Sequence, residues 1–180
     1  MKPYYLCNVI LKTNNIMTKI GIVESIYNIY EENGKLIVIA ESEDCKVQLK
    51  SFAHYERLSE ETMCFVSKVY VNGKNVGDAE NEGKGGCTFV RTNGKHTDLN
   101  IKANAVFGKL NDYTFPNKKL SLDDVVEQMA YFMPILKVNS SKGLKGVSPE
   151  VKAAIVRKRG EQVVAYLNKT AEELRIQFAK

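Results

Sequence analysis

"YNIYEENGKLIVIA", Tyr27 to Ala40, decides how this chain is to be read. Asn33-Gly34 stands between two runs rich in β-branched and aromatic residues. Asn and Gly tolerate positive φ, which a two-residue type I′ turn requires at both positions, and the twist of that turn matches paired antiparallel strands. A two-residue loop places Tyr30 opposite Ile37 and Ile29 opposite Val38. The dipeptide recurs in "YVNGKN" (70–75) and "RTNGKH" (91–96). The flanks "TMCFVSKVYV" and "CTFVR" have strand character, and the same register puts Val69 opposite Val76 and Arg91 opposite His96. "YYLCNVILK", "CKVQLKSF" and "IKANAVFG" supply further strands. Residues 1 to about 115 therefore read as an antiparallel, hairpin-rich sheet of roughly six to eight strands. Several strands are apolar on both faces, which leaves their register open.

The pattern then changes. "SLDDVVEQMAYFM" has Ser121 as an N-cap, acids in the first turn, and Leu122, Val125, Val126, Met129 and Phe132 on one face. Pro134 is expected to end this helix, giving a covering helix over 121–133. "NSSKGLKG" has linker composition. Ser148-Pro149-Glu150 then opens a helix to about 178. A second capping box at Thr170 and Glu173 would break it near Asn168. The expected fold is α+β: a sheet domain over 1–138, a linker over 139–147, and a basic C-terminal helical arm over 148–180. Val156, Gly160, Val163, Leu167, Leu174 and Phe178 form one stripe on that arm. It can face the chain's own sheet, or a second copy or partner in a homo-oligomer.

The composition narrows the class. The 180 residues are 44% hydrophobic, with no apolar run long enough to span a bilayer, so no membrane partner is expected. The start of the chain lacks a signal-peptide pattern, and a soluble cytoplasmic protein is expected. Cysteines 7, 45, 64 and 87 form no CxxC pair, so neither metal nor cofactor is predicted. The net charge of +5 lies entirely in residues 141–180, which hold nine Lys and Arg against four Asp and Glu. Lys142, Lys145, Lys152, Arg157, Lys158 and Arg159 make the densest basic cluster. They read either as a phosphate-contacting surface without base readout or as a solvated helix face.

"NEGKGGC" (81–87) is the other candidate site. Successive glycine amides can form an anion-binding nest, and Lys84 adds a point charge. A strand comes after it, so neither the Walker nor the dinucleotide-binding pattern applies, since both need a helix there. A plain strand connection competes with an anion or partner contact through Asn81, Gly83, Lys84, Gly85, Gly86 and Arg91. Cys87 and His96 could approach one another, but no third orienting group is evident, so no catalytic residue and no enzyme is predicted.

Residues 55–86, "YERLSEETMCFVSKVYVNGKNVGDAENEGKGG", carry a Ser-Glu-Glu-Thr turn (Glu60, Glu61, Thr62), a Gly-Lys hairpin (Asn72, Gly73, Lys74, Gly77) and an Asn-x-Gly-x-Gly-Gly run (Asn81, Gly83, Gly85, Gly86). This segment resembles one found in small, uncharacterised proteins of bacteriophages and other mobile elements. The resemblance covers neither the N-terminal strands nor the helical end, and it carries over no catalytic residue. It implies a phage-type accessory protein that counters a host defence or host process. The function expected is non-catalytic binding of a host macromolecule, either a host protein, a nucleoprotein complex or nucleic acid. The alternative is sequestration of a small anionic nucleotide by Lys84, Arg91 and the Gly83–Cys87 amides.

Overall fold

The computed structural model describes residues 17–112, 115 and 117–178, and its fold is α+β. One antiparallel sheet runs in the order β1 (Met17–Val23), β2 (Tyr27–Glu32), β3 (Lys35–Ser42), β4 (Cys45–His54), β5 (Phe65–Val71), β6 (Lys74–Asn81) and β7 (Phe89–Thr92). Each strand pairs with its neighbour in sequence. The strand expected over "YYLCNVILK" lies outside the described residues.

Two of the three Asn-Gly turns meet the type I′ requirement, with φ of 52° and 70° at Asn33 and Gly34, and 49° and 79° at Asn72 and Gly73. The first hairpin has the expected register, Tyr30 with Ile37 and Ile29 with Val38. The second departs from it: Tyr70 pairs with Asn75 and Val69 with Gly77, leaving Val76 as the extra residue of a bulge. The bulge lets Val69 and Val76 both enter the core, at 0% and 1% exposure.

The third Asn-Gly is not a hairpin. Gly94 has φ of 75°, but Asn93 does not take the left-handed conformation that a type I′ turn needs. The Asn93 amide instead donates to the Asn75 carbonyl at 3.1 Å, and its Oδ1 accepts the Lys95 N–H at 3.0 Å. The chain leaves the sheet and enters α1 (Thr97–Phe107), which replaces the expected strand over "IKANAVFG". Ala103, Val106 and Phe107 are buried at helical spacing, and that periodicity decides the outcome. Arg91 consequently does not face His96; its register partner is Asp78 and its guanidinium pairs with Glu80.

The second helix, α2 (Leu122–Ser141), runs through Pro134 instead of stopping there, so the 121–133 boundary and the start of the 139–147 linker are corrected. Leu136 and Ser140, beyond the proline, are 1% and 7% exposed, and this packing offsets the lost hydrogen bond. The third helix, α3 (Pro149–Phe178), is unbroken at Asn168: the Thr170 hydroxyl bonds back to the Tyr166 carbonyl at 3.0 Å instead of capping. The Asn168 amide is used across the fold, accepting from Glu24 N–H at 3.2 Å and donating to the Ile22 carbonyl at 2.9 Å. Val156, Val163, Leu167 and Ala171 are buried, and α3 lies on β1, β2 and β3. Gly160 permits the close approach: a Cβ there would sit 2.9 Å from Leu36 Cδ2 and 3.1 Å from Ile20 Cγ2. Val156, Val163 and Leu167 of the stripe therefore belong to the same core as the sheet.

The sheet is not continuous along its whole length. The β3–β4 ladder holds three residue pairs, Ala40–Val47, Glu41–Lys46 and Ser42–Cys45. Beyond Ala40 and Val47 the two strands share no ladder, and α2 packs against both. The Ser140 hydroxyl accepts the Leu36 N–H at 2.7 Å and donates to the Leu136 carbonyl at 2.7 Å, so a helix side chain stands where a strand partner would be. Further along, the β4–β5 register shifts between Lys50 and Ala53, with Ser51 at φ of 53°.

The α2 start is a full capping box, with Ser121 Oγ accepting the Asp124 N–H at 3.2 Å and the Asp124 carboxylate accepting the Ser121 N–H at 2.8 Å. Burial pushes the Asp124 carboxyl up, but hydrogen bonds from Lys118 and Ser121 outweigh it and hold the group below its ordinary value. A lowered carboxylate contributes stability above its unfolded-state pKa and loses it as pH falls through the folded-state pKa. Asp124→Asn is expected to flatten the acid limb of a stability–pH curve, and Ser121→Ala to cost about 1 kcal/mol in urea denaturation at neutral pH.

Candidate functional site

The Ser-Glu-Glu-Thr turn and the glycine run, distant in sequence, close on each other as a clasp. Backbone N–H groups of Glu60, Glu61 and Thr62 converge on the Gly83 carbonyl at 2.9, 3.0 and 3.3 Å. The Thr62 hydroxyl donates to Asn81 Oδ1 at 2.9 Å and accepts the Gly85 N–H at 3.3 Å. Asn81 is 4% exposed and its side chain is fully engaged. Oδ1 also accepts the Gly83 N–H at 2.8 Å, while Nδ2 donates to the Gly86 carbonyl at 3.0 Å and to Thr88 Oγ1 at 3.3 Å. The converging amides come from residues 60–62 and not from the glycine run, and the acceptor they hold is the chain's own neutral carbonyl oxygen. Gly83 has φ of 83°, and a Cβ there would run into the Leu58 carbonyl. The glycine and the asparagine are thus fixed by the clasp itself. The short 3-10 turn Glu56–Leu58 and Ser59, whose hydroxyl accepts the Cys64 N–H at 2.9 Å, complete its outer wall.

The structure does bring several expected residues together. Asn81, Lys84, Gly86 and Arg91 line one depression of about 260 Å³, joined by Glu80, Glu82, Cys87 and Phe89. Arg91 is paired with Glu80. The two carboxylates balance the two cations, which is poor ground for a free anion. Gly83 and Gly85 have their amides committed inside the clasp and serve as scaffold.

Sequence reading missed the surroundings of this depression. Val66, Glu80 and Phe89 are successive register partners across β5 to β7, in a row on the face opposite the core-facing Phe65, Ala79 and Val90. Val66 is 41% exposed and Phe89 57%. Leu58 and Tyr55, at 57% and 46%, continue the apolar surface around a second depression that shares Glu80, Asn81 and Glu82 with the first. Alternation along β5 and β7 was the available signal, but open register hid which face was solvent.

The basic cluster on α3 is largely turned to internal use. Arg157 Nε lies 3.4 Å from Glu31, whose side chain is 5% exposed and which also accepts the Gly34 N–H at 2.7 Å. Arg159 donates to the carbonyls of Asn139 and Lys142 at 3.3 and 2.8 Å. The Lys152 stem lies over Gly34. Lys142, Lys145 and Lys158 are exposed.

His54 Nε2 is 3.3 Å from Ser59 Oγ, and His96 stands at the start of α1, outside the depression that holds Cys87. Among the described residues no group of three or more His, Cys, Asp and Glu is placed to hold a metal ion, and no helix is long and apolar enough to cross a membrane. Compared with protein-family models, curated proteins and solved structures, the chain matches none.

Proposed function

We propose that this chain is a non-catalytic binding protein that engages a partner protein, alone or within a nucleoprotein complex, through the outer face of β5–β7 beside the glycine clasp. The observation that carries this reading is the exposed apolar row of Val66, Phe89, Leu58 and Tyr55, bordered by Glu80, Glu82, Lys84 and Arg91. An apolar centre with a mixed-charge rim suits a protein surface. It suits a polyanion less, because Glu80 and Glu82 would oppose phosphates. The clasp holds this surface in one shape, which lowers the ordering cost of association. The phage-type accessory role implied by residues 55–86 fits a protein that acts by occupying a surface, with a host protein as the partner, in the cytoplasm of the host cell.

The test is capture from host-cell lysate by the immobilised chain, compared with Phe89→Asp and Leu58→Asp. Both side chains are more than half exposed, so both variants should keep the wild-type denaturation midpoint. A captured protein retained by the wild type and lost by both variants is expected. Equal retention by all three would remove this face from the function.

A further inference from the structure

The cleft left where β3 and β4 part is the largest concavity described, at about 710 Å³. Small-molecule sites commonly measure roughly 300–1,000 Å³. Its walls are mostly aliphatic and aromatic, with Leu36 and Ile37 from β3, Leu49 and Phe52 from β4 and Met133 and Leu136 from α2, and Ser51, His54, Ser140 and Ser141 also reach it. Three lysines on three elements reach it, Lys35 from β3, Lys137 from α2 and Lys152 from α3, and no Asp or Glu is among its lining residues. Glu32 is the cross-strand partner of Lys35 and Glu31 lies near the Lys152 stem, but both stay off the cleft wall, so the charge facing the cleft is positive and favours an anionic occupant. Ser51, in the left-handed region at φ of 53°, also lines the cleft, at the register shift after which β4 turns along the same wall. Such a conformation in a non-glycine residue costs free energy and concentrates at functional sites.

The walls dictate the body of the occupant. A nucleobase buried here would press most of its polar edges on hydrocarbon, because the Ser140 hydroxyl is engaged by Leu36 and Leu136, the Ser141 hydroxyl by the Lys137 carbonyl and the His54 ring by Ser59, which leaves Ser51. An alkyl chain meets no such penalty. We infer that the β3–β4–α2 cleft binds a small anionic amphiphile, an alkyl chain ending in a carboxylate, with its tail along Leu36, Leu49 and Leu136 and its head among Lys35, Lys137 and Lys152. This site is separate from the partner face, and neither depends on the other.

The test is calorimetric titration of the full chain with octanoate, decanoate and dodecanoate below their micelle concentrations. Affinity should rise with length, by up to about fourfold per methylene. Dodecyltrimethylammonium, with the same tail and the opposite charge, should not bind, and neither should AMP. Lys35→Glu with Lys137→Glu reverses two exposed charges and should weaken dodecanoate at least about tenfold while the circular dichroism spectrum is unchanged. The inference is overturned by silence of dodecanoate, by equal binding of the cationic tail, by an unchanged affinity in the double variant, or by AMP binding more tightly than the acids.

Discussion

Gly83→Ala is expected to lower the stability of this protein by roughly 2–5 kcal/mol, the combined scale of a left-handed non-glycine residue and an overpacked site. The new methyl would meet the Leu58 carbonyl and come within 2.8 Å of Cys64 Cβ, and the Gly83 backbone, whose carbonyl accepts the N–H groups of Glu60, Glu61 and Thr62, cannot step aside. For a chain of this size that is a fall of about 10 °C in Tm. Gly86→Ala, three residues on in the same motif, meets nothing within 4 Å and should stay within about 0.5 kcal/mol of wild type. Urea denaturation of the pair decides whether the glycines serve the fold or a ligand. A mild Gly83→Ala, or a Gly86→Ala as damaging as its neighbour, would dismiss the clasp as the reason for the motif.

A chain ended at residue 147 is expected to lose its fold. Val156, Val163 and Leu167 are each 6% exposed or less. At about 1.5–3 kcal/mol per buried side chain their removal costs roughly 5–9 kcal/mol, against a total stability of about 5–15 kcal/mol. Dye binding to exposed apolar surface and loss of a cooperative transition should mark the truncated chain. The role of the basic residues is better examined with Lys142→Glu, Lys145→Glu and Lys158→Glu together, since all three are exposed. That variant should keep the wild-type denaturation midpoint while its net charge falls from +5 by six, to −1. A cooperative, native-like transition in the truncated chain would show α3 to be an appendage after all.

What the sequence could reveal was set by how local each signal is. Asn33-Gly34 and Asn72-Gly73 lie between two strands, and their backbone angles carry the whole message. Asn93-Gly94 has the same chemistry, but the residues after it have helical spacing, so the tertiary packing of Ala103 and Phe107 overrules the turn. Pro134 misled for the same reason, because Leu136 and Ser140 are held by β3 from outside the helix. The clasp gathered Asn81, Lys84, Gly86 and Arg91 near one another as the glycine pattern suggested. That the Gly83 and Gly85 amides would be spent on Asn81 and Thr62 side-chain oxygens, and the Gly83 carbonyl on the N–H groups of residues 60–62, could not be read, because the partners come largely from a distant turn. The cleft left no trace at all, since it exists only where a ladder stops early.

The tie between Asn168 on α3 and the Ile22–Glu24 turn of β1 sets an order of events during synthesis. The strand meander closes through neighbours in sequence and can assemble as it emerges. The β1 edge, however, must wait for a helix that lies well over a hundred residues downstream. At about 5–20 residues per second that interval lasts several seconds or more. During it the core-facing side of β1–β3 has no cover of its own from α3, and Leu36 and Ile20 are open to wrong contacts. The nascent chain is therefore exposed to misassembly and to chaperones at β1–β3 until α3 has emerged to cover them.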